Sequence, residues 1–140
     1  MTQTIKQKPV VAAIILKNKK LLLVQRAKKP AQNKWNIPGG RIEEDEKPER
    51  AIVREIKEEI GLETTLKFLY FSVDDLTENS INYPLQAYLC DYKEPLKLKK
   101  NKKEILNINF FSYTEAQNLN LTTPVREILL PKLLRDGLIE

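Results

Sequence analysis

Histidine is absent from all 140 residues. Its absence excludes a Ser-His-Asp triad, a Cys-His pair, a His-ligated zinc site and a histidine general base. Cysteine occurs once, at Cys90, so neither an intrachain disulfide nor a CxxC metal site can form. Any chemistry falls to carboxylates, Lys, Arg, Tyr or a hard metal ion. Long apolar runs are also missing. The longest, Val10 to Leu16, is far short of the roughly 18 residues a spanning helix needs. The opening residues MTQTIKQKP lack the apolar core of a signal peptide. A cytoplasmic location with no membrane partner is therefore expected.

What is present reads as a globular chain. Charged residues make up 31% and hydrophobic residues 41%, a balance that excludes disorder. The length suits one domain over 1–140 with a core that needs no staples. The net charge of +5 is local. Lys93, Lys97, Lys99, Lys100, Lys102 and Lys103 stand against Glu94, and the remaining 18 basic and 18 acidic residues cancel. This segment could gather anionic substrate or simply be a solvated loop. It carries no interleaved aromatic platform, which argues against nucleic acid as a partner.

VVAAIIL (10–16) and LLLVQR (21–26) read as strands joined in a hairpin by KNKK. Residues 27–38 read as an ordered loop, and Gly39-Gly40 as backbone that side chains would obstruct. A short strand is expected around Arg41-Ile42. Pro48 at a first helical position and Gly61 as a stop predict a helix over 48–60. Strands are expected over 64–73 and 81–92, with Pro84 making the second an edge or placing a bulge there. Leu106, Ile108 and Phe110 alternate with Asn107 and Asn109 as a half-buried strand over 105–111. Ser112 and Glu115 form a capping-box pattern. Thr123-Pro124 opens a last helix that Pro131 should kink or break. The class is mixed, α/β or α+β.

On a helical wheel, Glu55, Glu58 and Glu59 fall within a wedge of about 100° beside the stripe formed by Ile52, Val53, Ile56 and Ile60. Ala51 lies among them and leaves room for another segment. Like charges at i,i+4 cost about 0.2–0.5 kcal/mol each, so stability alone would avoid this placement. A divalent cation converts the repulsion into coordination, and oxygen-only ligands favour Mg²⁺ or Mn²⁺. The plain alternative is a solvated helix face whose acids pair with Lys57 and Arg54.

The segment GRIEEDEKPERAIVREIKEEIGL, Gly40 to Leu62, resembles the Nudix box, G-x5-E-x7-R-E-U-x-E-E-x-G-U with U aliphatic. Gly40, Glu46, Arg54, Glu55, Glu58, Glu59 and Gly61 match its fixed positions, and Ile56 and Leu62 its aliphatic ones. By chance this arises less than about once in 10⁸ start positions. The resemblance implies an α/β/α sandwich around a mixed sheet. It also implies metal-dependent cleavage of a nucleoside diphosphate linked to another moiety. Glu55, Glu58 and Glu59 match the metal-ligating glutamates, and Gly39 a position whose carbonyl often ligates metal. Arg54 matches the arginine that orients the glutamates, and Glu46 an outer-shell acid. Glu104, sharing parity with Leu106, Ile108 and Phe110, matches a region that often supplies a further carboxylate. Its alternative is a strand-end acid turned to solvent. Arg26 is a candidate phosphate contact or a strand-edge cap. Trp35, Tyr83, Tyr88, Phe110 and Cys90 are read as packing residues.

Substrate choice lies outside the box. The marks of the NADH and coenzyme A subgroups are absent. Thr77 and Glu78 stand where ADP-ribose members often carry proline, and Asn79 and Ser80 where diadenosine-polyphosphate members carry tyrosine. The QRA…NKWNIPGG stretch is similar to MutT-like members. The expectation is a nucleoside triphosphate cut to monophosphate and pyrophosphate, with selectivity near Arg26 and around Thr122 and Thr123. The alternatives are an ADP-ribose or other nucleotide-sugar pyrophosphatase, and a nucleotide-sensing module without catalysis. The protein is expected to be a monomer or homodimer.

Overall fold

In the computed structural model, residues 5–6, 9–29, 31–78 and 81–140 are described, with side chains over 9–29, 31–74 and 84–140. Expectations touching Pro30, Asn79 and Ser80, or the side chains of Thr77, Glu78 and Tyr83, lie outside these. The strands are β1 (Ile5–Lys6), β2 (Val10–Ile14), β3 (Leu16–Lys17), β4 (Lys20–Arg26), β5 (Trp35–Asn36) and β6 (Gly39–Arg41), then β7 (Thr64–Glu78), β8 (Ile81–Tyr92) and β9 (Ile105–Phe111). Helix α1 is Pro48–Ile60 and α2 is Tyr113–Gln117. A π-type segment, Val125–Leu129, runs into α3, Leu130–Arg135. Among the described residues, no helix is long and apolar enough to cross a membrane.

Two sheets form one central layer. In the first, β8 runs parallel to β1 and β2 and antiparallel to β7, while β2 is antiparallel to β6. In the second, β4 is antiparallel to β3, β5 and β9. The apolar runs are continuous because both faces of β2 and β4 are covered. Ala12, Ile14, Leu21 and Leu23 pack with Val125, Leu129 and Leu133 from the C-terminal helix. Val11, Ala13, Ile15, Leu22 and Val24 pack with Ala51, Ile52, Ile56 and Ile60 of α1. This is the α/β/α sandwich expected around a mixed sheet.

Four expectations are corrected. The hairpin of 10–16 with 21–26 exists only at its tip. Leu16–Lys17 pairs with β4 across a two-residue turn at Asn18 and Lys19, both at positive φ (52° and 63°). β2 belongs instead to the other sheet, where β8 takes it up in parallel. Val53 is 40% exposed rather than part of the buried stripe, which runs through Ala51, Ile52, Ile56, Glu59 and Ile60. Of the two alternatives at Pro84, the edge is overturned, since β8 is a central strand, and the bulge is found. Pro84 falls where β8 passes from pairing with β1 to pairing with β2 and where β7 bulges between Val73 and Leu76, so its missing N–H breaks no ladder bond.

The fourth correction concerns β9. Arg26 pairs with Ile105 and Gln25 with Asn107, which leaves Leu106 as a bulge, 39% exposed. The inward set is therefore Ile105, Ile108 and Phe110. Glu104 does not begin the strand on its core-facing side; it ends the preceding turn and is exposed.

Helix α1 matches its expected bounds. Gly61 closes it at φ 69°, its N–H donating to the Lys57 carbonyl. Ser112 and Glu115 make both bonds of a capping box at α2. The kink expected from Pro131 is taken up as the π-type turn before it, where the Leu130 N–H reaches back to the Val125 carbonyl.

Candidate active site

The glycine pair brings β6 and α1 together. A Cβ on Gly39 would overlap the Val11 carbonyl of β2, and one on Gly40 would overlap the Glu55 carboxyl group. The two obstacles differ in kind, and so do the expected results. Gly39→Ala meets backbone and should lower Tm by about 10 °C or more. Gly40→Ala meets the end of a flexible side chain and should leave the fold while displacing Glu55, costing at least about 10-fold in turnover. Melting curves and turnover for both variants check this; equal effects on Tm would contradict it.

Glu59 is the most buried acid of the site, at 5% exposure. Its Oε1 accepts the Gly39 N–H at 2.8 Å. Burial pushes its carboxyl up to about 8, opposed by the Gly39 bond, and the charges of Glu55 and Glu104 push the same way as burial. Glu55 is also raised, first by burial, against its bond to Arg54. Thus Glu104, on the turn before β9, acts through its charge on Glu55 and Glu59, one turn apart on α1.

Arg54 ties the remaining acids together. Its Nε and Nη2 donate to Glu46 Oε2 and Oε1 at 2.7 and 2.8 Å, a bidentate pair. Its Nη1 donates to Glu55 at 2.9 Å and approaches Glu58 at 3.4 Å, and Nη2 also donates to the Arg41 carbonyl at 3.2 Å. These bonds, with the Glu43 N–H, hold Glu46 down at about 2. Arg54 is held above its ordinary range chiefly by Glu46. Glu58 is the outermost of the three helix acids, its side chain 58% exposed.

The donors suit a hard divalent cation: they are oxygen only, and the buried Glu59 and half-buried Glu55 carry like charges that repel. No three acidic groups already converge on one point among the described residues. Glu59 faces the Gly39 amide and Glu58 leans on Arg54, so a cation would draw Glu58 off a weak, exposed contact. Glu104 makes no side-chain hydrogen bond or ion pair among the described residues, yet its charge reaches both Glu55 and Glu59.

A cleft of about 410 Å³ opens beside Glu59 and the glycine pair. Arg26 stands on its wall, as do Lys34 and Arg41, so three cations face it. Phe71, Leu85 and Val125 give it apolar lining. Thr122 and Thr123, expected to matter for selectivity, line it too. A parallel bridge between Trp35 and Leu121 brings them there, with the Thr122 N–H bonded to the Trp35 carbonyl at 3.0 Å. The Thr122 hydroxyl is buried with no hydrogen-bond partner among the described residues. Trp35 itself packs edge-on against Phe111 at 5.0 Å, a structural role as expected. Tyr88 and Phe110 pack against the α1 side of the core, and Cys90 is buried with its thiol pushed up to about 12.

Sequence reasoning missed Asn36, Phe71 and Leu85 as cleft residues and Asn101 as a structural hub. None carries a local signal, because each reaches its place through strand pairing or a backbone turn. The lysine segment also has an unforeseen job. Its Lys99 and Asn101 N–H groups donate to the Ile60 and Glu59 carbonyls at 2.8 Å each, closing the C-terminal end of α1.

Residues 6–133 match the NUDIX domain family. The chain is 48% identical over 61 residues to the CTP pyrophosphohydrolase of Escherichia coli K12, covering 41% of this chain and 43% of that protein. It is 46% identical over 63 residues to the ADP-ribose pyrophosphatase of Methanocaldococcus jannaschii, covering 44% of this chain and 37% of that one. It thus spans about two fifths of either relative's length. The crystal structure of a MutT NUDIX hydrolase from Burkholderia pseudomallei superposes with a TM-score of 0.79 at 25% identity, covering 90% of this chain and 97% of that one.

Proposed function

The chain belongs to the Nudix family, and from that premise we propose that it hydrolyses a pyrophosphate bond in a nucleoside diphosphate linked to another moiety. The carrying observation is Glu59: a buried carboxylate lining a cleft whose wall also bears three cations and the apolar side chains of Phe71, Leu85 and Val125. That layout suits a molecule with an anionic middle and a flat, partly apolar end. The Thr122 hydroxyl is a ready partner for a polar edge of that end.

Glu55, Glu58 and Glu59, with the Gly39 carbonyl, hold Mg²⁺ or Mn²⁺ in this reading. A cation held there would supply charge neutralisation for the diphosphate and a lowered pKa for the attacking water. The protein's own groups do the rest. Arg54 and Glu46 fix the direction of Glu55 and Glu58, and Arg26 binds a phosphate from the cleft wall. Glu104 takes the proton as water attacks phosphorus and the bridging P–O bond breaks, the leaving phosphate keeping the bonding electrons. The preferred substrate is a nucleoside triphosphate, cut to monophosphate and pyrophosphate.

An ADP-ribose pyrophosphatase is the second reading, favoured by the likeness to the archaeal relative. Turnover of a ribo- and deoxynucleoside triphosphate panel beside ADP-ribose, with Mg²⁺, Mn²⁺ or chelator, separates the cases. Expected are triphosphate cleavage with Mg²⁺ or Mn²⁺, loss on chelation, and no rescue by zinc. A preference for ADP-ribose over every triphosphate overturns the substrate. Nucleotide binding without any turnover overturns the enzyme in favour of a sensing module.

A further inference from the structure

Glu104 has no side-chain partner among the described residues, so the turn that carries it decides where its carboxylate stands. That turn is built on Asn101. The Asn101 N–H donates to the Glu59 carbonyl at 2.8 Å, on the helix that holds the acidic cluster. Its carbonyl accepts the N–H groups of Glu104 and Ile105 at 3.0 and 2.8 Å. Its side-chain Oδ1 accepts the Lys103 N–H at 3.1 Å. One half-buried residue therefore bonds to both sides of the site, to α1 through its amide and to the Glu104 turn through its carbonyl and side chain. From the other side, the Ala27 N–H beyond β4 donates to the Glu104 carbonyl at 2.8 Å.

The composition makes the side-chain bond specific. Asn101 sits in KKNKKE, where none of the four lysines can accept a hydrogen bond from the backbone ahead. Asparagine does so with its amide oxygen, and lysine has no acceptor at all. Neighbouring lysine charges repel one another, so the segment has no local preference for a tight turn without it.

We infer that Asn101 is a positioning residue for catalysis, holding the turn that places Glu104 against the Glu55–Glu59 pair. The inference rests on the reading of Glu104 as the proton acceptor. The side chain of Asn101 contributes only the bond to Lys103. Its removal should loosen the turn while leaving the backbone bonds to α1 able to form.

The test is a double-mutant cycle read with amide exchange on the full-length protein. Asn101→Ala is expected to lower kcat about 10-fold with KM changed less than about 2-fold, the cost of a misplaced group. Asn101→Asp, which keeps the acceptor oxygen, should restore most of the rate. In a Glu104→Gln background, Asn101→Ala should do nothing further. The Lys103 amide should exchange faster in Asn101→Ala, while the Ile56 and Ile60 amides keep their protection. A full additional loss in the Glu104→Gln background overturns the inference, as does loss of protection throughout α1 or wild-type kcat in Asn101→Ala. If Glu104→Gln alone retains wild-type kcat, the assignment of Glu104 fails first and Asn101 falls with it.

Discussion

Glu59→Gln is expected to lower kcat by about 10³-fold, the several kcal/mol that a well-held cation contributes to such a transition state. The same variant should be more stable than the parent in metal-free solution at pH 8. The reason is the raised carboxyl. Burial, with the charges of Glu55 and Glu104, lifts Glu59 to about 8 against an ordinary value of 4.5. The folded state therefore binds this proton more tightly than the unfolded state. The stability it contributes is whole below about pH 4.5 and is lost as pH rises through about 8. A glutamine cannot ionise and avoids that loss.

Metal-free wild type and Glu59→Gln should thus melt alike at pH 5 and diverge as pH rises. By pH 8 the variant is ahead by about 2–4 kcal/mol, or roughly 6–12 °C in Tm. Excess Mg²⁺ should reverse the order, because only the parent gains a bound cation. Calorimetric melts with chelator and with Mg²⁺ at both pH values, beside turnover, give all the quantities needed. Parallel melting curves across pH would remove the buried, strained carboxylate. Wild-type turnover in the variant would remove its role in metal binding.

Arg54→Lys carries the second large effect. Charge is conserved, so a purely electrostatic role predicts little change. Yet Arg54 makes two parallel bonds to Glu46, a third to Glu55 and a fourth to the Arg41 carbonyl, from one planar group. A lysine ammonium cannot reproduce that fork. Glu55 then loses its orientation, and Glu46 its held-down carboxyl. Turnover should fall by about 10- to 100-fold, as for other groups that orient ligands. Tm should drop by several degrees in chelator and recover in part with Mg²⁺, because a cation then compensates the Glu55 and Glu58 charges. Measured Mn²⁺ affinity should weaken in step with turnover. Unchanged turnover and affinity would reduce Arg54 to an ordinary surface ion pair.

The helix and its acids were readable in the chain because their information is local. Pro48 and Gly61 set the ends of α1, and the 3.6-residue period placed Glu55, Glu58 and Glu59 beside Ile52, Ile56 and Ile60. The glycine pair was readable for a related reason, since only the missing Cβ permits backbone and carboxylate to approach that closely. The box pattern likewise lies within 23 consecutive residues.

Pairing across the chain was not readable. Nothing in VVAAIIL says that its first five residues join β8 in parallel while its last, Leu16, turns back onto β4. An apolar run buried on both faces has no period to reveal its partner. The Leu106 bulge changed the reading of β9 at its start only: Ile108 and Phe110 face inward as read, while Ile105 takes the place of Leu106, and bulges leave no mark in composition. Thr122 reached the cleft through the bridge of Leu121 to Trp35, and the turn that carries Glu104 is tied to α1 through the Asn101 amide. The sequence by itself determined which residues could do the chemistry. The tertiary structure decided which of them meet, because long-range strand register and backbone turns, not local period, set those distances.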